Sequence, residues 1–367
     1  MKVKCNRAAL YEAIQLASSI VPARTPKPVL QCAKLWAGQP EGKLTVIATD
    51  GELTIRYVVG QVQVEKSGAA VVAADRLAAI LHETTDETVD LAVKDTTCEV
   101  RGKDSIFRIY GQDPEDFPVI DQAKAEAAFS VKAEQLKRMI HLTAFAAARE
   151  NTRYAINGVL WEQTGKKLRM VATDGRRLAL ADGEVSPGKK DAQNTAIVPL
   201  KALALLERLL HDGEEKLEIG FSGSQLVATT PLAEVSSTLA QGRFPKYTEV
   251  IPTGADKKAQ VDAEAFRSAV RRAALLTNDQ SRGILLAFEG ETVCLSSSTP
   301  EAGDAEITMK ASYEGAPLKI GFNPQYLLDM LRVISEAEVV CEFSDGSKPG
   351  LLRAGKDFSY VLMPVTV

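Results

Sequence analysis

Histidine is scarce in this chain: His82, His141 and His211 are the three among 367 residues. None stands at ligand spacing from another histidine or a cysteine, so no metal site is expected. The five cysteines, Cys5, Cys32, Cys98, Cys294 and Cys341, are odd in number and widely separated. Set among apolar, strand-like residues, they read as reduced structural thiols and not as a disulfide framework. Long apolar runs are missing too. Nothing approaches the roughly 20 residues that span a bilayer, and residues 1–7 lack the apolar core of a secretion signal. A cytoplasmic protein with no membrane partner is the expectation. Also absent are a phosphate-binding G-x-x-x-x-G-K-[ST] run, H-E-x-x-H, C-x-x-C and G-x-S-x-G. No cofactor is therefore expected, and binding is a better class than catalysis. The formal net charge of −4 excludes a wholly basic nucleic-acid coat, though not a single basic face.

What is present is an ordinary globular composition, 45% hydrophobic and 25% charged, long enough for two or three domains. The organising stretch is Val171-Ala172-Thr173-Asp174-Gly175-Arg176-Arg177-Leu178-Ala179, which reads as strand, tight turn, strand. Glycine accepts the positive φ of such a turn, and aspartate can bond its own backbone. Thr-Asp-Gly recurs at Thr49-Asp50-Gly51, and one further equal step reaches Ser298, in another strand that runs into a turn. This period predicts three copies of one domain, at residues 1–121, 128–252 and 258–367.

Each third opens with a strand and an amphipathic helix. Leu10, Ala13, Ile14 and Ala17 form one apolar stripe at helical spacing. Leu136, Met139, Ile140, Thr143 and Ala144 form the second, and Phe266, Ala269, Val270, Ala273 and Thr277 the third. Asn6 and Asp262 are suited to cap the first and third of these helices. A second helix follows in each third, at 75–82, 200–210 and 324–335. Short strands precede them (70–73, 195–198, 318–322) and alternating strands follow them (88–93, 216–221, 338–343). The thirds close on 116–120, 243–252 and 360–364, where proline is expected to end a strand because it lacks a ladder donor. The predicted class is α+β, with three repeated domains, each carrying two helices packed on antiparallel sheet.

Cations lie opposite the apolar stripes. The opening helices carry Lys132, Lys137 and Arg138 in the second third, and Arg267, Arg271 and Arg272 in the last. The second helices add Arg76, Lys201, Arg208 and Arg332. Interleaved acids make this a mixed solvated face. If several such helices faced a common axis, their cations would sum to a surface that holds phosphates without reading bases. Asp50 and Asp174 invite a different reading, a carboxylate-dependent hydrolase. Their repetition at equal spacing, and the missing carboxylate in the third copy, fit turn residues better.

Three stretches carry a resemblance. They are Arg153-Tyr154-Ala155-Ile156-Asn157-Gly158 with the Thr173-Asp174-Gly175 stretch, Gly242-Arg243-Phe244-Pro245-Lys246-Tyr247-Thr248-Glu249-Val250-Ile251-Pro252, and the terminal Tyr360-Val361-Leu362-Met363-Pro364. Together they resemble the bacterial DNA polymerase III β subunits, the replication sliding clamps, over essentially the whole chain. The resemblance implies a head-to-tail homodimer forming a ring of six similar domains, with helices lining a hole that admits duplex DNA of any sequence. It implies DNA contacts from Arg24, Arg76, Lys137, Arg138, Arg149, Lys201 and Arg271. At the subunit boundary it places Phe107 and Ile109 against Leu275 and Leu276, with Arg76 near Glu301, Asp304 and Glu306.

The same resemblance implies a groove for short client peptides. Arg153, Ile156, Thr173, Gly175, Arg176, Leu178, Pro245, Val250, Val361, Met363 and Pro364 fall there, with Asn323 and Tyr326 at its rim. The implied partners are a clamp loader, the replicative polymerase α subunit, other DNA polymerases and repair proteins. Arg176 stands where many members carry histidine, and Glu249 where the residue is often basic. Two other roles stay open at this level: a specialised paralogue for repair or plasmid replication, and a plain peptide-binding scaffold.

Overall fold

The computed structural model describes residues 1–38, 42–120, 125–149, 156–188, 193–210, 216–277, 283–300 and 302–366. Two compact units are present. One comprises Met1–Glu134, Val185–Ala192 and Lys201–Leu239, the other Gln135–Glu184, Gln193–Leu200 and Ala240–Val367. The middle third of the sequence is thus shared between them.

Among the described residues, six α-helices form where apolar residues recur at helical spacing: α1 (Arg7–Ile20), α2 (Ala74–Glu83), α3 (Ala133–Thr143), α4 (Leu200–Leu209), α5 (Ala263–Ala273) and α6 (Pro324–Val333). The stripe residues Leu10, Ala13, Ile14 and Ala17 are fully buried, as are Leu136, Ala269, Val270 and Ala273. Asn6 accepts the Ala9 N–H at 3.0 Å and Asp262 the Ala265 N–H at 2.7 Å, so both expected caps are made. Asn323 caps α6 in the same way, accepting from Gln325 at 2.9 Å, and Pro324 supplies the preset φ of a first helical turn.

Among the described residues, every strand pairing is antiparallel. In the first unit, a five-stranded sheet runs Val62–Lys66, Lys2–Asn6, Thr88–Lys94, Thr97–Arg101, Ile106–Tyr110. Beside it in sequence lies a nine-stranded sheet made from two thirds of the chain. Its first-third strands Leu53–Val59, Lys43–Thr49, Cys32–Gly38 and Gly68–Ala73 join the middle-third strand Ala233–Thr238 through Leu53–Val59. Val235 faces Ile55 across that seam.

The second unit repeats the device. Arg177–Glu184 pairs with Phe358–Leu362, with Leu178 opposite Val361 and Ala179 opposite Tyr360. Another nine-stranded sheet results, with a four-stranded sheet of Gly303–Lys310, Thr292–Thr299, Ile284–Glu289 and Leu318–Phe322. In both seams, the strand that follows a Thr-Asp-Gly turn receives the last strand of the next third. The corresponding strand of the final third, Gly303–Lys310, is instead a sheet edge, and so is the last strand of the first third, Ile106–Tyr110.

One expectation needs correction. Of the three closing segments, only the last contains a strand; 116–120 has none, and Tyr247–Glu249 forms a 3-10 turn. These two segments use their aromatic residues to cover a sheet face. Phe117 packs with Val29, Cys32, Ile47 and Val71. Phe244 and Tyr247 pack with Ile156, Leu160, Leu178 and Val361. A segment lying across a face has no ladder to join, so its proline forfeits nothing.

Candidate functional site

The Thr173-Asp174-Gly175 turn is built from its own side chains. The Gly175 N–H donates to the Thr173 hydroxyl at 3.0 Å, and one Asp174 oxygen accepts from the Arg176 and Arg177 N–H groups at 2.9 and 3.1 Å. Gly175 has φ of +86°, a conformation that costs other residues a Cβ clash. The turn thereby leaves Arg176 exposed and carries Arg177, the second residue past the glycine, into the protein.

Arg177 joins three elements. Its Nε donates to the second Asp174 oxygen at 3.0 Å, one terminal nitrogen to Asp329 of α6 at 2.6 Å, and the other to the Phe145 carbonyl at 3.1 Å. Its guanidinium lies 4.5 Å from the Tyr326 ring centre and 5.5 Å from that of Phe145. Its side chain is only 10% exposed, so this charge is held by paired carboxylates and rings in place of water. The Tyr360 hydroxyl donates to the Tyr326 carbonyl at 3.0 Å and fixes the same end of α6.

Beside this cluster opens a cavity of about 240 Å³. Its floor is sheet: Thr173, Leu178 and Val361, with Ile156 and Gly175. Met363 reaches it because the tail leaves the sheet with the Met363 N–H on the Arg176 carbonyl at 3.0 Å. The other wall is the closing turn of the middle third, with Pro245, Lys246, Tyr247 and Val250. Ligand pockets for drug-sized molecules run from about 300 Å³ upward. This one is the right size for one or two apolar side chains.

Tyr247 is fastened from below. Glu162, Arg169 and Asp182 lie in register across three adjacent strands. Arg169 grips Asp182 in a two-pronged contact at 2.7 and 2.8 Å, and the Tyr247 hydroxyl donates to Glu162 at 2.5 Å. Burial first, and then the Glu162 carboxylate, raise the Tyr247 phenol above its ordinary pKa, against the pull of Arg169.

Eight of the expected groove residues line the cavity: Ile156, Thr173, Gly175, Leu178, Pro245, Val250, Val361 and Met363. Arg176 is exposed at the turn, Tyr326 stacks on Arg177, Asn323 caps α6, and Pro364 follows Met363 along the tail. Arg153 lies outside the described residues, as does Glu301. The sequence pattern missed Arg177, Lys246 and Tyr247. A basic residue immediately before the apolar run Leu178-Ala179-Leu180 was the available signal for Arg177.

The expected phosphate-facing cations divide. Arg24, Arg76, Arg149 and Arg271 are exposed. Lys201 is engaged by Asp50 and by the Ile20 carbonyl at 2.9 Å. Burial opposes the Asp50 charge, but Lys201 and the Leu53 and Glu52 N–H groups outweigh it and lower its pKa. Arg138 pairs with Glu336 at 2.6 Å, and Lys137 is half-buried. Of the expected boundary residues, Phe107 and Leu275 are 39% and 75% exposed, Leu276 is half-buried and Asp304 exposed. Ile109 is turned into its own core at 5% exposure. Among the described residues, no group of three or more His, Cys, Asp or Glu side chains is placed to hold a metal. No helix there is long and apolar enough to cross a membrane.

The chain matches the N-terminal, central and C-terminal domains of the DNA polymerase III beta subunit over residues 1–121, 130–246 and 248–366. The chain belongs to the DNA polymerase III beta subunit family. It is 35% identical to the beta sliding clamp of Pseudomonas putida and 30% to that of Escherichia coli K12, each over 100% of both chains. Crystal structures of the Pseudomonas aeruginosa beta subunit and the Bacillus subtilis sliding clamp are similar, with TM-scores of 0.92 and 0.93 and identities of 32% and 26%. They cover 100% of this chain and 100% and 99% of their own. The beta subunit family is one of DNA sliding clamps, processivity factors without catalysis, and that is the function of this chain. Asp50 and Asp174 are accordingly turn and ion-pair residues, and the hydrolase reading is set aside.

Proposed function

We propose that two copies of this chain close head to tail into a ring around duplex DNA, with three clamp domains per copy at 1–121, 128–252 and 258–367. The unfinished third seam carries this reading. Two seams join a post-turn strand to the last strand of the next third, and the remaining such pair, Gly303–Lys310 and Ile106–Tyr110, are both edges. Edge strands with open donors and acceptors are ready to pair with another chain. Exposed Asp304 and Glu306 on one and Arg108 on the other suit that pairing. Exposed Ile106, Phe107 and Leu275 would add apolar burial, the larger share of the closing energy. A heterologous contact that closes gives a finite ring.

In this ring Arg24, Arg76, Arg149 and Arg271 meet phosphates directly, and Lys137, Arg138 and Lys201 contribute less because they are already engaged. Retention then rests on topology, with weak screened contacts permitting sliding. The cavity receives apolar side chains from peptides of the replicative polymerase α subunit, other DNA polymerases and repair proteins. Each side chain buried contributes roughly 1.5–3 kcal/mol, which suits reversible exchange among clients. A clamp loader opens the ring, in the cytoplasm.

The test is retention on nicked circular DNA after assisted loading, in salt that screens phosphate contacts. Protein that stays on circles and leaves when a restriction enzyme linearises them is held by encirclement. Equal loss from both forms despite verified loading removes the ring reading.

A further inference from the structure

The two sides of the cavity are built differently. The floor is sheet, hydrogen-bonded through Arg177–Glu184 and Phe358–Leu362. The opposite wall is a single 3-10 turn, held internally by the Tyr247 N–H on the Pro245 carbonyl at 2.8 Å and the Val250 N–H on the Tyr247 carbonyl at 3.2 Å. Short 3-10 turns have poor hydrogen-bond geometry and little stability of their own. What fastens this one to the sheet includes the Tyr247 phenol on Glu162, in the charged row that Arg169 and Asp182 complete. Glu162 thus seats the hydroxyl, with Arg169 held beside it by Asp182, and the same tyrosine lines the cavity.

We propose that Tyr247, seated by Glu162 and Arg169, is a positioning residue that latches the Pro245–Val250 wall against an apolar side chain bound in the cavity. The proposal rests on the peptide-binding reading above. Tyr247 makes its ring contact with the ligand, while its hydroxyl acts at a distance by keeping the wall in place. A rigid pre-set wall spares the ordering cost of binding and shows in the off-rate.

The full-length protein is tested with a fluorescein-labelled hexapeptide carrying adjacent leucine and phenylalanine in an otherwise polar chain. Tyr247→Phe keeps the ring and deletes the latch. The expected result is an off-rate about tenfold faster with little change in on-rate, the size of one hydrogen bond. Amide exchange at Val250 in the free protein accelerates, while the urea midpoint falls by no more than the loss of one hydrogen bond. Glu162→Ala behaves alike, and Glu162→Gln, whose amide oxygen still accepts the phenol, restores most of the loss. Wild-type off-rate and exchange in Tyr247→Phe overturn the proposal, as does failure of Glu162→Gln to differ from Glu162→Ala. If the wild-type protein does not bind the peptide, the peptide reading fails, and the Val250 exchange still decides the latch.

Discussion

Thr49-Asp50-Gly51 and Thr173-Asp174-Gly175 close with the same bonds and hold different cations. In each, the glycine N–H donates to the threonine hydroxyl at 3.0 Å, and one carboxylate oxygen accepts from the two N–H groups beyond the glycine. The second oxygen differs in its partner. At Asp50 it takes Lys201, whose side chain is 47% exposed. At Asp174 it takes Arg177, whose side chain is 10% exposed and shared with Asp329. The same turn is a surface tether in one unit and the support of a cavity wall in the other. Local sequence makes the turn; what is buried against it sets its task.

The comparison can be broken first at the cations. Arg177→Ala leaves Asp174 without its charge partner, and Asp329 with only the longer contact to Arg332 at 4.0 Å, in a poorly hydrated place. A loss of roughly 3 kcal/mol is expected from urea unfolding, together with loss of the proposed peptide binding. The partner test, Lys201→Ala, removes an ion pair that water already screens and is expected to cost less than about 1 kcal/mol. Comparable losses in the two variants would mean that burial does not separate the turns.

The glycines sharpen the likeness. Gly51 and Gly175 have φ of +99° and +86°, and an added Cβ meets open space at both. Strain alone is at work, so Gly51→Ala and Gly175→Ala are each expected to cost about 1 kcal/mol by thermal unfolding. A clear inequality would show that the turns are not equivalent.

The smallest effect is in pH. The Asp50 carboxyl has a lowered pKa in the folded protein. Its contribution is complete above the ordinary carboxylate value near 4 and is lost as pH falls through the lower folded value. Asp50→Asn removes the titrating group, so wild type and variant are expected to differ most near neutrality and converge as the solution is acidified toward that folded value. A gap that stays constant across the titration in urea would contradict the assignment.

Much of this was legible from the residues. Apolar spacing located the opening helix of each third because a helix must bury one stripe, the second helices were placed by the short strands before them, and Asn6 and Asp262 announced two starts through their capping chemistry. The equal steps from Asp50 to Asp174 to Ser298 suggested the repeat, and the resemblance carried by the terminal stretch and the turn supplied the residues of the cavity floor. The closing segments were misread because Phe-Pro ends a strand and covers a face with the same letters. Tyr247 was missed because its meaning depends on Glu162, a residue far away in sequence and brought beneath it only by the sheet.

The sequence by itself determined the elements, their turns and their repetition, since these depend on backbone preference and on which side chains avoid water. Only the tertiary structure decided which charges are available. Lys201 and Arg138 look alike as helix cations, and whether each meets solvent or a carboxylate depends on Asp50 and Glu336. The same holds for the unfinished seam: strand-forming residues are recognisable locally, but being an edge is a property of the whole sheet.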